Sequence, residues 1–298
     1  MAIPPCSTSL EVLLSSPAPL LLDGAMGTML QRYGPPPGIP LDTLNLTHPQ
    51  WVLEVHRSYR EAGAQLLYTN TFGAGSLGLT QTGPTPEEVV RAGVALARQA
   101  AGAGTAPRPL VAAALGPLAQ RMAPHGPLSP AQVRRLYARQ ATAADRAGAD
   151  LVVLETMMDL EEARTAVEAV RENTPLPVIC TMTFGRDGRS LTGDTVGQMA
   201  RVLEPLGVAA LGFNCCHGPD SLLPLVAELA RHTALPMVAK PSAGLPDPHT
   251  LAYPLGPRDW GLATAALAGA GARLLGGCCG TTPDAIACLG AALDGRSL

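Results

Sequence analysis

The sequence predicts a single (β/α)₈ barrel. Three observations lead there: eight short apolar runs, helix-start signals between them, and an Ala-Gly-Ala step just before three of the runs. The runs fall at residues 20–22, 65–68, 110–115, 151–154, 178–181, 209–213, 237–239 and 273–275. Short continuous apolar runs suit strands buried on both faces, as in parallel sheets. Eight such units in 298 residues fit a barrel, which uses about 250 residues as one domain. A doubly wound open sheet has the same periodicity and is the alternative.

Taken in order, residues 1–19 form an N-terminal extension and residues 20–298 the barrel. The extension has no basic region of the kind that opens a signal peptide. Residues 10–14 are amphipathic and are expected to cap the domain. Thr85-Pro86-Glu87-Glu88 reads as N-cap, first-position proline and acidic first turn. Ser129-Pro130 opens a helix in the same way, with Val133, Leu136, Tyr137 and Gln140 at helical spacing. Asp159 and Glu162 form a capping-box-like start, and Thr282-Pro283-Asp284 begins the last helix. The glycine of each repeat, Gly63, Gly148 and Gly271, stands where a left-handed C-cap turns the chain into the next strand.

Composition narrows the function classes. The net charge is −3, no basic block is present, and aromatics make up 3%, which argues against nucleic acid. No apolar run approaches the roughly 20 residues of a membrane span. Seven cysteines in a chain of this length do not make a disulfide scaffold, so a cytoplasmic protein with reduced thiols is expected.

Barrels of this kind carry their chemistry at the C-terminal ends of the strands. The residues following the runs are rich in polar groups: Asp23-Gly24, Thr69-Asn70-Thr71, Glu155-Thr156, Thr183, Asn214-Cys215-Cys216-His217, Lys240-Pro241-Ser242 and Cys278-Cys279. The cysteines are the strongest signal, because thiolates are soft ligands that suit zinc. Adjacent cysteines converge on one ion only where a strand gives way to a turn, and Gly276, Gly277 and Gly280 supply one. A third thiolate from the 215–216 pair leaves the fourth zinc position open, which is the catalytic arrangement. Spacing alone does not decide between Cys215 and Cys216, and His217 is a further candidate. The competing readings are buried apolar cysteines, a closed four-ligand zinc or thiol-binding module without catalysis, and a glycine-rich phosphate cradle. Cys6, Cys180 and Cys288 are taken as structural or incidental. Asp23 and Glu155 in one mouth suit an ammonium group. Asn70, Thr71 and Thr183 either add polar contacts or satisfy backbone groups.

Several stretches resemble the homocysteine S-methyltransferase family, especially the homocysteine-binding module of cobalamin-dependent methionine synthases. They are Leu-Leu-Asp-Gly-Ala-Met-Gly-Thr-Met-Leu-Gln (21–31), Leu-Asn-Leu-Thr-His-Pro (44–49), Val-His-Arg-Ser-Tyr-Arg-Glu-Ala-Gly-Ala (55–64) and Thr-Asn-Thr-Phe-Gly-Ala (69–74). Leu-Glu-Thr (154–156), Thr-Phe-Gly-Arg-Asp-Gly-Arg-Ser-Leu-Thr-Gly (183–193), Asn-Cys-Cys-His-Gly-Pro (214–219) and Gly-Gly-Cys-Cys-Gly-Thr-Thr-Pro-Asp (276–284) complete the series. The resemblance implies a zinc-binding barrel with Cys215, Cys278 and Cys279 as ligands. It also implies that Asp23 and Glu155 hold the homocysteine amino group, and that the backbone at Gly24 and Ala25 meets its carboxylate. The implied donor is first methylcobalamin, recharged from methyltetrahydrofolate on a separate domain or chain. S-methylmethionine, S-adenosylmethionine and betaine are the donors of other family members. The sequence departs from the pattern at Ser242, where asparagine is usual. No folate- or cobalamin-binding module follows residue 298, so the barrel is expected either to work with a separate chain or to be an excised module.

Overall fold

A computed structural model describes residues 9–78, 83–102 and 108–296, so Cys6 lies outside the described residues. Eight parallel strands form one sheet: β1 (Leu20–Leu21), β2 (Leu66–Tyr68), β3 (Leu110–Leu115), β4 (Leu151–Met157), β5 (Val178–Met182), β6 (Ala210–Cys215), β7 (Met237–Pro241) and β8 (Ala272–Leu275). Hydrogen-bonded neighbours run in sequence from β2 to β8, and β8 pairs with β1. A parallel bridge between Leu22 and Leu66 closes the ring, so the open-sheet alternative is excluded.

Eight helices alternate with the strands: α1 (Pro49–Glu61), α2 (Pro86–Ala101), α3 (Pro130–Arg146), α4 (Leu160–Asn173), α5 (Val196–Leu203), α6 (Pro219–Leu229), α7 (Pro257–Ala265) and α8 (Pro283–Leu293). Thr85 with Glu88 and Ser129 with Gln132 close reciprocal capping boxes. Asp159 caps α4 by accepting from the amides of Glu161 and Glu162. The Glu162 carboxylate is spent elsewhere, accepting from the Leu118 amide and the Tyr137 hydroxyl, both at 2.8 Å. Gly63, Gly148 and Gly271 all have positive φ, as the repeat requires.

Period-two alternation along the strands divides the core in two. Leu22, Leu66, Tyr68, Ala112, Ala114, Val153, Ile179, Val238 and Leu274 belong to the cluster inside the barrel. Alternate residues such as Leu67, Val111, Val152 and Leu211 belong to the larger cluster shared with the helices. A short N-terminal helix, Leu10–Ser15, buries Leu10 against the inner cluster. No helix among the described residues is long and apolar enough to cross a membrane.

Three strands run beyond their apolar runs into polar residues. β4 continues through Glu155 and Thr156, β6 through Asn214 and Cys215, and β7 through Lys240 and Pro241. The backbone ladder persists there, with Asn214 opposite Lys240 and Cys215 opposite Pro241. Hydropathy marks where side chains are dry, not where the ladder ends. The polar residues therefore stand on the strand ends and share the rigidity of the barrel.

His56 on α1 is fully buried, and neither ring nitrogen has a hydrogen-bond partner among the described residues. Burial lowers its pKa from 6.5 to about 4. The unfolded chain takes up a proton below about pH 6.5 that the folded chain refuses until about pH 4, so folding stability is lost as pH falls through that window. A shift of this size corresponds to about 3 kcal/mol. We expect His56→Leu to gain stability relative to the parent as pH falls from 6.5 to 4, measured by urea unfolding. An unchanged difference across that range would remove His56 as the cause.

Candidate metal centre and substrate pocket

Cys215 ends β6 and the Cys278-Cys279 pair follows β8. Their three sulfurs lie within 4.8 Å of one another, the one such cluster of potential metal ligands among the described residues. Cys215 Sγ is 3.7 Å from Cys279 Sγ, and the Cys278 and Cys279 sulfurs are 3.9 Å apart. Sulfurs at about 2.3 Å around a tetrahedral zinc lie about 3.8 Å apart. The donor set and its spacing therefore fit the metal. The separations also exclude a disulfide, whose sulfurs are about 2.05 Å apart.

Local backbone strain aims these groups. Cys215 has φ 63°, Cys216 43° and Thr156 58°, all in the left-handed region that non-glycine residues seldom enter. A register shift between Leu154 and Met157 in the β4–β5 pairing accompanies Thr156 and re-aims Glu155. Asn214, fully buried, ties these pieces together. Its Oδ1 accepts from the Thr156 amide (2.7 Å) and the Thr181 hydroxyl (2.8 Å). Its Nδ2 donates to Thr156 Oγ1 at 2.7 Å and lies 3.8 Å from Cys278 Sγ.

Without a cation the three thiols compete for charge. Cys279 is held well below the usual thiol range by S–H hydrogen bonds from Cys215 and Cys278. Cys278 and Cys279 in turn push Cys215 up, first through the hydrogen bonds that keep its proton and then because a second thiolate beside the first is repelled. A divalent cation relieves that repulsion.

Cys216 and His217 fall outside the triad. The Cys216 sulfur faces Thr183 Oγ1 (3.6 Å) and the Asn214 carbonyl (3.5 Å), and its amide donates to Thr183 Oγ1. The His217 Nδ1 is enclosed without a hydrogen-bond partner among the described residues. Cys180 is fully buried, and burial pushes its thiol up to about 12. The glycine-rich turn is occupied by protein: a Cβ at Gly277 would strike Thr281, and one at Gly280 would strike the Tyr253 ring. These glycines serve close packing, which removes the observation behind a phosphate cradle.

The remaining sequence candidates separate into two groups. Asp23 and Glu155 lie at the mouth. Burial pushes the Glu155 carboxyl up to about 8, and Lys240 pulls it back only in part. Asp23 is 1% exposed, and both its oxygens have protein donors: Lys240 Nζ at 2.7 Å and the Tyr68 amide at 2.7 Å. Gly24 sits where a Cβ would collide with the Tyr59 ring and Thr281, and the Ala25 amide donates to Thr281 Oγ1 at 3.0 Å. Asn70 and Thr71 turn to the scaffold. Asn70 Nδ2 donates to the Leu41 carbonyl and Asn45 Oδ1, and Thr71 Oγ1 donates to the Ala114 carbonyl at 2.7 Å. Their polarity satisfies the buried backbone of the first loops.

Sequence reasoning passed over Asn214, Lys240 and Tyr68 as site residues. Lys240 carried the clearest signal, a lysine at the end of a buried strand run, where an unpaired charge is not tolerated. Ser242 has a structural task, donating to the Cys215 carbonyl at 3.1 Å.

The fold and the triad define a barrel enzyme scaffold with a metal-competent, three-thiol mouth. A family model described as homocysteine S-methyltransferase matches residues 20–293, and the chain belongs to that family. It is similar to the methionine synthases of Mycobacterium leprae (strain TN), 34% identical over 286 residues, and Mycobacterium tuberculosis (strain ATCC 25618 / H37Rv), 34% over 283 residues. These matches cover 89% and 88% of this chain but only 23% of each relative. The metallated form of the Escherichia coli homocysteine methyltransferase MmuM superposes with a TM-score of 0.80 at 26% identity, covering 95% of this chain and 99% of that one. Its apo form gives 0.74.

Proposed function

We propose that this barrel transfers a methyl group to the sulfur of homocysteine, giving methionine, with zinc held by Cys215, Cys278 and Cys279. The triad spacing carries the reading, supported by the family to which the chain belongs. When bound, zinc would favour the thiolate form of the substrate sulfur, whose free pKa of about 8.5 leaves it mostly protonated at neutral pH.

The chain's own residues do the rest. Asn214 and the strained Cys215 backbone hold the sulfur ligands in place before substrate arrives. Glu155 faces the substrate ammonium, and an ammonium beside it draws the raised carboxyl back to its ionised form. Asp23 adds a second carboxylate, sharing its charge with Lys240. The family resemblance implies a substrate carboxylate beside Gly24 and Ala25, where the Ala25 amide is already engaged with Thr281. Thr183 orients Cys216 away from the metal.

The proposed donor is methylcobalamin presented by a separate module and recharged from methyltetrahydrofolate, in line with the similarity to the longer methionine synthases. A standalone reading with S-methylmethionine, S-adenosylmethionine or betaine is favoured by the near end-to-end match with MmuM. Zinc-loaded protein assayed with homocysteine against each donor separates the two. No methionine from any donor would sink both. X-ray absorption at the zinc edge tests the open position: we expect three sulfur ligands to become four on adding homocysteine. A site already closed by four protein ligands would favour a non-catalytic zinc or thiol-binding module.

A further inference from the structure

The floor of the mouth holds a polar group that nothing among the described residues satisfies. Tyr68, the last residue of β2, belongs to the barrel-interior cluster and is 5% exposed. Its hydroxyl is buried and has no hydrogen-bond partner among the described residues. Leaving such a group unpaired costs about 1–3 kcal/mol. The surroundings show that the ring is deliberately held. Lys240 Nζ lies 3.6 Å from the ring centroid, fixed there by its 2.7 Å bond to Asp23 Oδ1, and Asp23 Oδ2 accepts from the Tyr68 amide. On β3, Ala112 stands opposite Tyr68, and both Ala112 and Ala114 belong to the same interior cluster, so these two positions bring no large side chain beside the ring.

The chemistry of the hydroxyl restricts its partner. Burial, with Glu155, Asp23 and the Cys278 thiol nearby, keeps the phenol well above its usual range, so it stays a donor. A cation over the ring face draws electron density from it and strengthens the donor further. The nearby carboxylates do not take the bond. The substrate carboxylate also needs a donor, because the Ala25 amide is already committed to Thr281.

We propose that the Tyr68 hydroxyl donates a hydrogen bond to the α-carboxylate of the bound thiol amino acid, with Lys240 acting as the positioning residue that fixes the ring. The inference rests on the homocysteine reading above and adds the residue that reads the carboxylate.

Tyr68→Phe removes only the orphaned hydroxyl, so its effects on stability and on binding should separate. Calorimetry on zinc-loaded protein should show homocysteine bound about 10-fold more weakly, as expected for one such bond. The melting temperature of the ligand-free variant should stay equal or rise. Two truncated thiols identify the end that is read. 4-Mercaptobutyrate, which keeps the carboxylate, should lose the same factor, and 3-aminopropanethiol, which lacks it, should bind both proteins equally. Unchanged homocysteine affinity in the variant overturns the assignment, as does an equal loss for 3-aminopropanethiol. A lower melting temperature with no change specific to the carboxylate would make the phenol structural and also overturn it. If the parent protein binds no homocysteine at all, the functional reading itself falls.

Discussion

Cys278→Ser is expected to empty the metal site and to lower methionine formation by at least about 10³-fold, about 4 kcal/mol of barrier. The substitution exchanges one atom. A serine hydroxyl is a hard, protonated oxygen that does not replace a thiolate for zinc, and two remaining thiolates are too few for a tight site. The loss then compounds, because the substrate thiol, with a pKa of about 8.5, is mostly protonated at pH 7 and no longer held in place. The fold should survive, since the Cys278 amide bond to the Pro241 carbonyl does not involve the side chain. Zinc content by emission spectrometry and methionine formation under the best donor measure the two effects. Cys216→Ser is the control: its sulfur faces Thr183 and the Asn214 carbonyl, so zinc and turnover should be retained. Full turnover by zinc-free Cys278→Ser would end the zinc reading, and loss of zinc in Cys216→Ser would move the ligand set by one residue.

The contrast between these neighbours shows what a sequence can and cannot convey. Eight apolar runs suffice for eight buried parallel strands because burial on both faces is written in hydropathy, whereas closure of the ring rests on the bridge between Leu22 and Leu66. Cys278 and Cys279 were legible because a glycine-flanked pair has few other uses. Cys215 over Cys216 was not legible from spacing, because the choice rests on two consecutive residues with positive φ, φ 63° and 43°, and no side-chain pattern encodes that. Asn70 and Thr71 read as site residues for the opposite reason. They sit at a strand end as Asp23 and Glu155 do, yet their hydrogen bonds go to Leu41, Asn45 and Ala114. Where a polar side chain at a barrel mouth points depends on which loop backbone needs a partner, and that is a property of the packed chain. Lys240 was visible but uninterpreted, because its meaning lies in a contact 217 residues away.

Lys240→Met should show that meaning directly. Lys240 and Asp23 are 2% and 1% exposed and form a 2.7 Å ion pair that crosses from β7 to the end of β1. Removing one member of a buried pair leaves the other charge uncompensated, which costs about 3–5 kcal/mol. The variant should therefore be among the least stable single substitutions at pH 7–8, well beyond the effect of losing the contact with Tyr68. The pH dependence separates this cause from a simple packing defect. Burial already pushes the Asp23 carboxyl up, against Lys240 and the Tyr68 amide, which pull it down. Without Lys240 the folded-state pKa rises further above the unfolded value of about 3.9. An acid with a raised folded pKa is stabilised in its protonated form, so the folded variant loses stability as pH rises and regains it as pH falls. The gap to the parent protein should be widest at pH 8 and should shrink toward pH 4, where a proton on Asp23 takes the place of the ammonium. The double substitution Asp23→Asn with Lys240→Met removes both charges and should recover most of the lost stability at pH 7, to within about 1–2 kcal/mol of the parent, because a buried pair and its neutral replacement differ little. A Lys240→Met deficit that is flat with pH, or that persists in the double variant, would assign the loss to packing around the lysine stem. The pair would then not be the device that holds the floor of the mouth.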